Sequence, residues 1–500
     1  MKKRYLPMAL LGMALCWAPH GQAATIAVDA EGGGDVASLA EAVDQALGNG
    51  EADEIVIAPG VYPISRDAGG VLALIGEDEL VIRGEDASDR PVIVIEPNMA
   101  QPADDETVDG LIIRMDGSLT FQDVIFAPGD AFSLDPDVDD LIAVQDFGTA
   151  DAPASLDLSF INVLITHAES DFTPVSMDGW TDPAGAFFFT RDDALNIDAT
   201  GGDAINLLLE DTIIAASGDG DAADGVVLDG PNISCTLTGE TRITYPSRYG
   251  FFAFDTASVN IEGTADTPII VYAASSFSFN VRGGENSFDH LWLIGAEQED
   301  GSLSDFGVRF DANTSGSLTM TNSIVANMEL DGMFFNFDGE DYSYTIQDCT
   351  FYNVPTVLRL GFVGVDPAPS DAQTFNFTDN IYVAADAVGA GGDFFTPEPT
   401  VIDYGDPAIS SVVNIENLAL NGGGVTSSRS AQSPNTAENI LEDADLQFAA
   451  TEFVPGDFGD YLVVTNCDLV AGQASEGRAL DGARPSECGT ALDQWFLHNE

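Results

Sequence analysis

One polar residue, Asp or Asn, returns at a fixed place in a repeating β-rich pattern along most of the chain, and this limits the fold more than any other feature. The pattern is clearest in SLTFQDVIF, SLDLSFINVLI, INLLLEDTII, SLTMTNSIV, YTIQDCTF, FNFTDNIYV and VNIENLAL. In these runs Asp123, Asn162, Asp211, Asn322, Asp348, Asp379 and Asn417 share one position, followed by a return to β residues. Asn and Asp side chains satisfy backbone groups where a chain bends, so a constant offset marks a corner turned once per repeat. Repeats of roughly 25 to 45 residues, β-rich and poor in helix signals, match single coils of a β-solenoid.

A second run precedes these corners: DGLIIRMDG, LIAVQDFG, AFFFTRDD, GVVLDG, GFFAFDT, SFNVRGG, GVRFDAN, GMFFNFDG and TVLRLGF. They close on Asp116, Asp146, Asp192, Asp229, Asp255, Gly284, Asp311, Asp338 and Gly361. Two places earlier stand Arg114, Val144, Thr190, Val227, Ala253, Arg282, Arg309, Asn336 and Arg359, which strand alternation puts on the outer face. Met115, Leu228, Phe254, Phe310 and Phe337, one place before the closing residue, then face the core. This alignment sets Arg282 and Arg309 directly across neighbouring coils, about 4.8 Å apart. Two guanidiniums that close repel unless carboxylates or a bound anion lie between them, and Asp255 and Asp311 are the nearest carboxylates. The row reads either as an internal salt-bridge lattice or as a subsite gripping the carboxylate of a uronic-acid sugar.

The ends read differently. MKKRYLPMALLGMALCWAPHGQAA has a cationic start, an apolar middle too short to span a bilayer, and small residues at cleavage spacing, which predicts a signal peptide over residues 1–23 and a secreted, extracellular or periplasmic protein. SLAEAVDQALGNG places Ser38 and Glu41 in a capping box and predicts a helix over 38–47. A solenoid's terminal coil exposes core and unpaired backbone, so this helix is expected to cap a domain spanning 24–440. Residues 441–500 are expected to cap the other end, with Cys467 and Cys488 as a disulfide pair. Cys235 and Cys349, about four coils or ~19 Å apart, are expected to be buried thiols.

The formal net charge is −67, from 83 acidic against 16 basic residues. Once the leader is gone every remaining cation is an arginine. Nucleic acid and anionic membranes are excluded as partners by repulsion, and no later segment is apolar enough to insert into a membrane. The acidity reads as a surface hydrated against salt or as affinity for divalent cations, and the two coexist. SGDGDAADG, with Asp219, Asp221 and Asp224, is a candidate calcium loop without the EF-hand spacing. His167, His290 and His498 suggest no metal cluster; Trp180, Trp292 and Trp495 could stack on sugars, although Trp292 alternates like a wall residue.

The opening TIAVDAEGGGDVASLAEAVDQAL, then DEIVIAPGVYPI and LVIRGEDASDRPVI, followed by the coils, resembles the right-handed parallel β-helix proteins of the pectate-lyase-like superfamily over roughly residues 25 to 440. The resemblance implies an all-β fold: a single-stranded right-handed parallel β-helix of about ten or more coils with an N-terminal capping helix. It also implies a polysaccharide partner and a groove on one strand face. There aspartates, here Asp229, Asp255 and Asp311, would hold Ca²⁺ and a basic residue, here Arg282 or Arg309, would act as base, with Arg359 and Asn336 binding substrate. The chain departs from relatives that use a lysine base, and from the hydrolases and methylesterases of this fold, of whose motifs only the Asp192–Asp193 pair is present. Two functions therefore stand side by side: a calcium-assisted lyase of a uronic-acid glycan, or a non-catalytic acidic surface or matrix protein binding carbohydrate or divalent cations.

Overall fold

The structure is a computed structural model that describes residues 24–462 except 48–50, 65–72, 77–78, 96–109, 129–139, 150–151, 167–179, 181–192, 218–223, 247, 255–256, 275, 297–303, 313–315, 338–341, 361–372, 386–398, 405–410, 427–432, 443–445 and 458–460. The signal peptide, the Cys467–Cys488 pair, Asp192, Asp219, Asp221, Asp255, His167, His498 and Trp495 lie outside the described residues, as do the side chains of Asp311 and Asn336.

Every coil climbs by parallel pairing, and the chain forms a parallel β-helix. The described strands make a 24-stranded sheet and a 12-stranded sheet. The larger sheet is folded along its length, because each coil gives it a longer and a shorter strand around a one-residue bend, as in Gly117–Gln122, Asp123 and Ile125–Pro128. The bend residue is the one the sequence marks: φ is 54° at Asp123, 51° at Asn162, 49° at Asp211, 50° at Asn322, 54° at Asp348, 56° at Asp379 and 53° at Asn417. Short polar side chains tolerate this left-handed conformation, and here they also tie coils together. Asn162 Nδ2 donates to Asp123 Oδ1 at 2.6 Å, and Asn417 Nδ2 to Asp379 Oδ1 at 2.9 Å.

His290 holds the same bend with φ 54°, next in register to Asn322. Replacing Asn322 by valine puts a β-branched residue in left-handed backbone and removes its 2.8 Å bond to Asp289. A loss of roughly 1–3 kcal/mol is expected in urea unfolding.

The solenoid interior is apolar and partly stacked, with Phe251 on Phe279 at 4.6 Å and Tyr344 on Phe375 at 4.3 Å. Met115, Leu228 and Phe310 are in the core as expected, 2%, 0% and 0% exposed. Phe254 is not: Leu228 pairs with Ala253, so Ala253 points inward and Phe254 outward. Cys235 and Cys349 are buried free thiols, and burial pushes both well above the usual thiol range.

Helix Leu39–Ala46 starts at Ser38, whose Oγ accepts from Glu41 N at 3.3 Å, and buries Leu39, Ala42, Val43 and Ala46 against the first coils. The segment following residue 445 behaves otherwise. Its described part lies along the side of the solenoid, with Phe448 on Tyr352 at 5.6 Å, Phe453 on Tyr272 at 5.3 Å and Tyr461 on Trp292 at 6.1 Å. It thereby covers the apolar outer face of the shorter strands, including Ile270, Ile294 and Ile324. The longer strands face solvent, and their middle outer row is uncharged from Thr120 through Ser159, Leu208, Thr236, Asn260, Ser287, Thr319, Thr345 and Asn376 to Asn414. The remaining face, the outside of the 12-stranded sheet, carries Arg114, Arg282, Arg309 and Arg359.

Candidate functional site

On that face the strand register corrects the sequence alignment. Asn280 pairs with Arg309, and Arg309 in turn with Phe334. Continuing the same registers sets Arg282 between Phe254 and Asp311. The two arginines therefore share a face and occupy neighbouring coils, but sit diagonally, two residues out of step. The reason is local: Gly283 and Gly284 both have positive φ, 96° and 75°, so the strand ends at Val281 and the turn begins two residues before the aligned closing residue. In an earlier coil, Asp229 pairs with Asp198 of a strand, Leu195–Asp198, that the alignment passed over in favour of Asp192.

Each arginine near the middle of this face lies against an aromatic ring. Arg282 Cζ is 4.9 Å from the Phe252 ring centroid and 4.4 Å from that of Phe254. Arg309 Cζ is 5.2 Å from Phe277, and Arg248 Cζ is 4.4 Å from Tyr249. Phe277, Phe306 and Phe334 form their own cluster outside the solenoid core, joined by Tyr249 and Leu330, and Phe277 stacks on Phe306 at 4.5 Å. Such contacts are worth about 0.5–2 kcal/mol each and orient a planar guanidinium of the kind that pairs with carboxylates. Arg282 and Arg309 are half-buried.

Other charged candidates are committed within the fold. Arg248 makes a two-pronged pair with the buried Asp224, Nε to Oδ1 at 2.9 Å and Nη2 to Oδ2 at 2.5 Å. Asp224 also accepts from Tyr249 N at 3.1 Å, so this member of the candidate calcium loop is a structural anchor. Arg359, expected to bind substrate, is 6% exposed. It grips Asp331 with Nε at 2.6 Å and Nη2 at 2.9 Å, and reaches Asp403 with Nη1 at 3.2 Å. Burial outweighs the pull of Arg359 and holds the Asp331 carboxyl above its ordinary range. Arg114, farther along the same sheet, is exposed and gives two hydrogen bonds to Gln145 Oε1.

The proposed calcium ligands do not converge. Asp229 and Asp311 are three coils apart by register, or ~14 Å, whereas ligands of one Ca²⁺ lie within ~2.6 Å of the ion. Among the described residues no group of three or more His, Cys, Asp or Glu side chains could hold a metal ion. Asp229 and Asp311 are thus too far apart to share one calcium ion, and Asp255 lies outside the described residues.

Sequence reasoning missed two groups here. Asn280 is fully buried between Phe252 and Arg309, and neither its Oδ1 nor its Nδ2 has a hydrogen-bond partner among the described residues. Its only sequence signal is an amide in the short β-rich run FSFNV. Asp305 opens the strand carrying Arg309, and burial, then the neighbouring Glu329, push its carboxyl up to about 6. A carboxyl raised on folding favours the folded state at low pH and loses that contribution as pH rises from about 4 to about 6. Asp305→Asn is therefore expected to raise the melting temperature at pH 7 and to flatten its dependence between pH 4 and 6, read by thermal melts across that window.

No protein-family model and no curated protein matches the chain. Among solved structures it is similar to pectate lyase Pel9A, at 13% identity and TM-score 0.40 over 74% of this chain and 79% of that one. It is also similar to a PL6 alginate lyase in complex with a trisaccharide, at 11% identity and TM-score 0.41 over 88% and 92%. Tailspike protein 3 of bacteriophage CBA120 aligns at 12% identity and TM-score 0.28 over 81% and 59%.

Proposed function

We propose that this secreted β-helix protein binds a carboxylated polysaccharide along the outer face of the 12-stranded sheet, with Arg282 and Arg309 gripping sugar carboxylates. The observation that carries the reading is a pair of arginines seated on aromatic rings on one strand face, in a chain of net charge −67. The diagonal offset suits successive carboxylates of a chain crossing the coils. A guanidinium stays protonated in proteins, so the pair supplies fixed positive charge. Charge held against a uronate carboxylate also lowers the cost of removing the adjacent proton, but β-elimination needs in addition a base to take that proton and an acid for the departing glycosidic oxygen, roles that fixed guanidiniums do not fill. Because the proposed grip is made by two arginines and not through a metal ion, binding is expected to survive chelation by EGTA.

The test is affinity electrophoresis and calorimetry with polygalacturonate, alginate and neutral dextran, together with ultraviolet absorbance of unsaturated products. Retention by a polyuronate and not by dextran is expected. No affinity for any polyuronate sinks the reading; affinity without absorbing product leaves a binding protein and removes the lyase.

A further inference from the structure

The central residue of this face is the one that no sequence pattern marked. Elsewhere in the solenoid an outward Asn is satisfied by the coil beside it: Asn414 Nδ2 donates to Asn376 Oδ1 at 3.1 Å, and Asn353 Nδ2 to Asn327 Oδ1 at 3.0 Å. Asn280 has Phe252 on one side and Arg309 on the other, neither of which continues such a ladder. The guanidinium of Arg282 lies back over Phe252, and that of Arg309 over Phe277, three residues before Asn280 in its own strand. The amide is thus fully buried with both polar atoms unmatched, beneath two long side chains that would have to swing outward to meet a carboxylate. An unsatisfied buried amide is a net cost to the fold. Leucine would fill the same space without that cost, so the fold itself gives no reason for the amide.

We infer that Asn280 is the hydroxyl-reading residue of the site, an inference that rests on the carboxylate-binding function proposed above. A primary amide both donates and accepts, which is the complement of a sugar hydroxyl. Arg282 and Arg309 recognise the acid of a uronate unit; Asn280, exposed as they move onto it, pairs with a free ring hydroxyl of the same unit. The ligand class narrows to uronate chains whose ring hydroxyls are unmodified. An O-acetylated chain offers the amide an acceptor but no donor, and adds bulk at the oxygen that the amide would read.

The experiment compares the full-length protein with Asn280→Leu, using alginate oligosaccharides and their O-acetylated forms as probes, and pairs calorimetric affinity with thermal melts. The wild type is expected to prefer the free over the acetylated oligomer by about tenfold or more. Asn280→Leu is expected to lose roughly tenfold in affinity for the free form, to discriminate no longer between the two, and to melt no lower than the wild type. Unchanged affinity and preference in Asn280→Leu overturn the inference and leave the arginine site standing. A melting temperature lowered by several degrees overturns it too, because the amide is then structural. If the wild type binds neither oligomer nor polygalacturonate, the carboxylate-binding function fails along with it.

Discussion

Replacing Arg359 with alanine is expected to cost about 3–5 kcal/mol, the largest single loss at any charged residue in the described structure. Its side chain is 7% exposed, those of Asp331 and Asp403 are 0% and 7% exposed, and no other cation is shown with these two carboxylates. Removing the guanidinium leaves two buried acids with no counter-charge, a penalty far greater than that of an exposed pair. The deficit should depend on pH with a definite sign. Without Arg359 the folded-state Asp331 carboxyl rises further above its unfolded value, so the variant regains stability as acid protonates it and loses it as pH rises. Arg359→Lys should recover only part, because one ammonium cannot reproduce the two-pronged bond to Asp331 together with the third contact to Asp403. Urea unfolding at pH 4.5 and 7 reads both effects, and an Arg359→Ala variant as stable as wild type at pH 7 would show that the triad contributes nothing.

The double variant Arg282→Ala/Arg309→Ala is expected to abolish polyuronate binding while leaving the melting temperature within a few degrees of wild type. Hydrogen bonds to charged groups contribute about 1.5–3 kcal/mol each, so the single variants should lose roughly 10- to 100-fold and the pair more. Wild-type affinity should also fall steeply with added salt, and the double variant should lose that dependence. The fold should tolerate the change because both residues are outward and half-buried, in contrast to Arg359, two coils beyond Arg309 and three beyond Arg282. Full retention of polyuronate by the double variant would move the site to another face.

The bends were readable because each depends on a local preference: a short polar side chain at Asp123, Asn162 or Asn322 lowers the cost of left-handed backbone wherever the chain must turn. His290 escaped that reading, since a single imidazole in one coil breaks the Asn and Asp pattern although the backbone does not change. The registers on the arginine face were less legible. They depend on where a strand stops, and Gly283–Gly284 ends the strand before Arg282 two residues short of the Arg309 strand, which shifts Arg282 against Arg309 by two residues. Burial was legible for Phe310 and not for Phe254, because one residue of register exchanges core for surface.

The sequence by itself determined that this chain winds into parallel coils with a helix over the first, because alternation, turn residues and a capping box act over a few residues at a time. Only the tertiary structure decided how each of the four outward arginines is held: it sets Arg359 on Asp331 and Asp403 and Arg114 on Gln145, and seats Arg282 and Arg309 on phenylalanines around an unmatched amide. Those assignments depend on contacts between residues some 25 to 45 positions apart, brought together by stacking coils, and no local pattern encodes them.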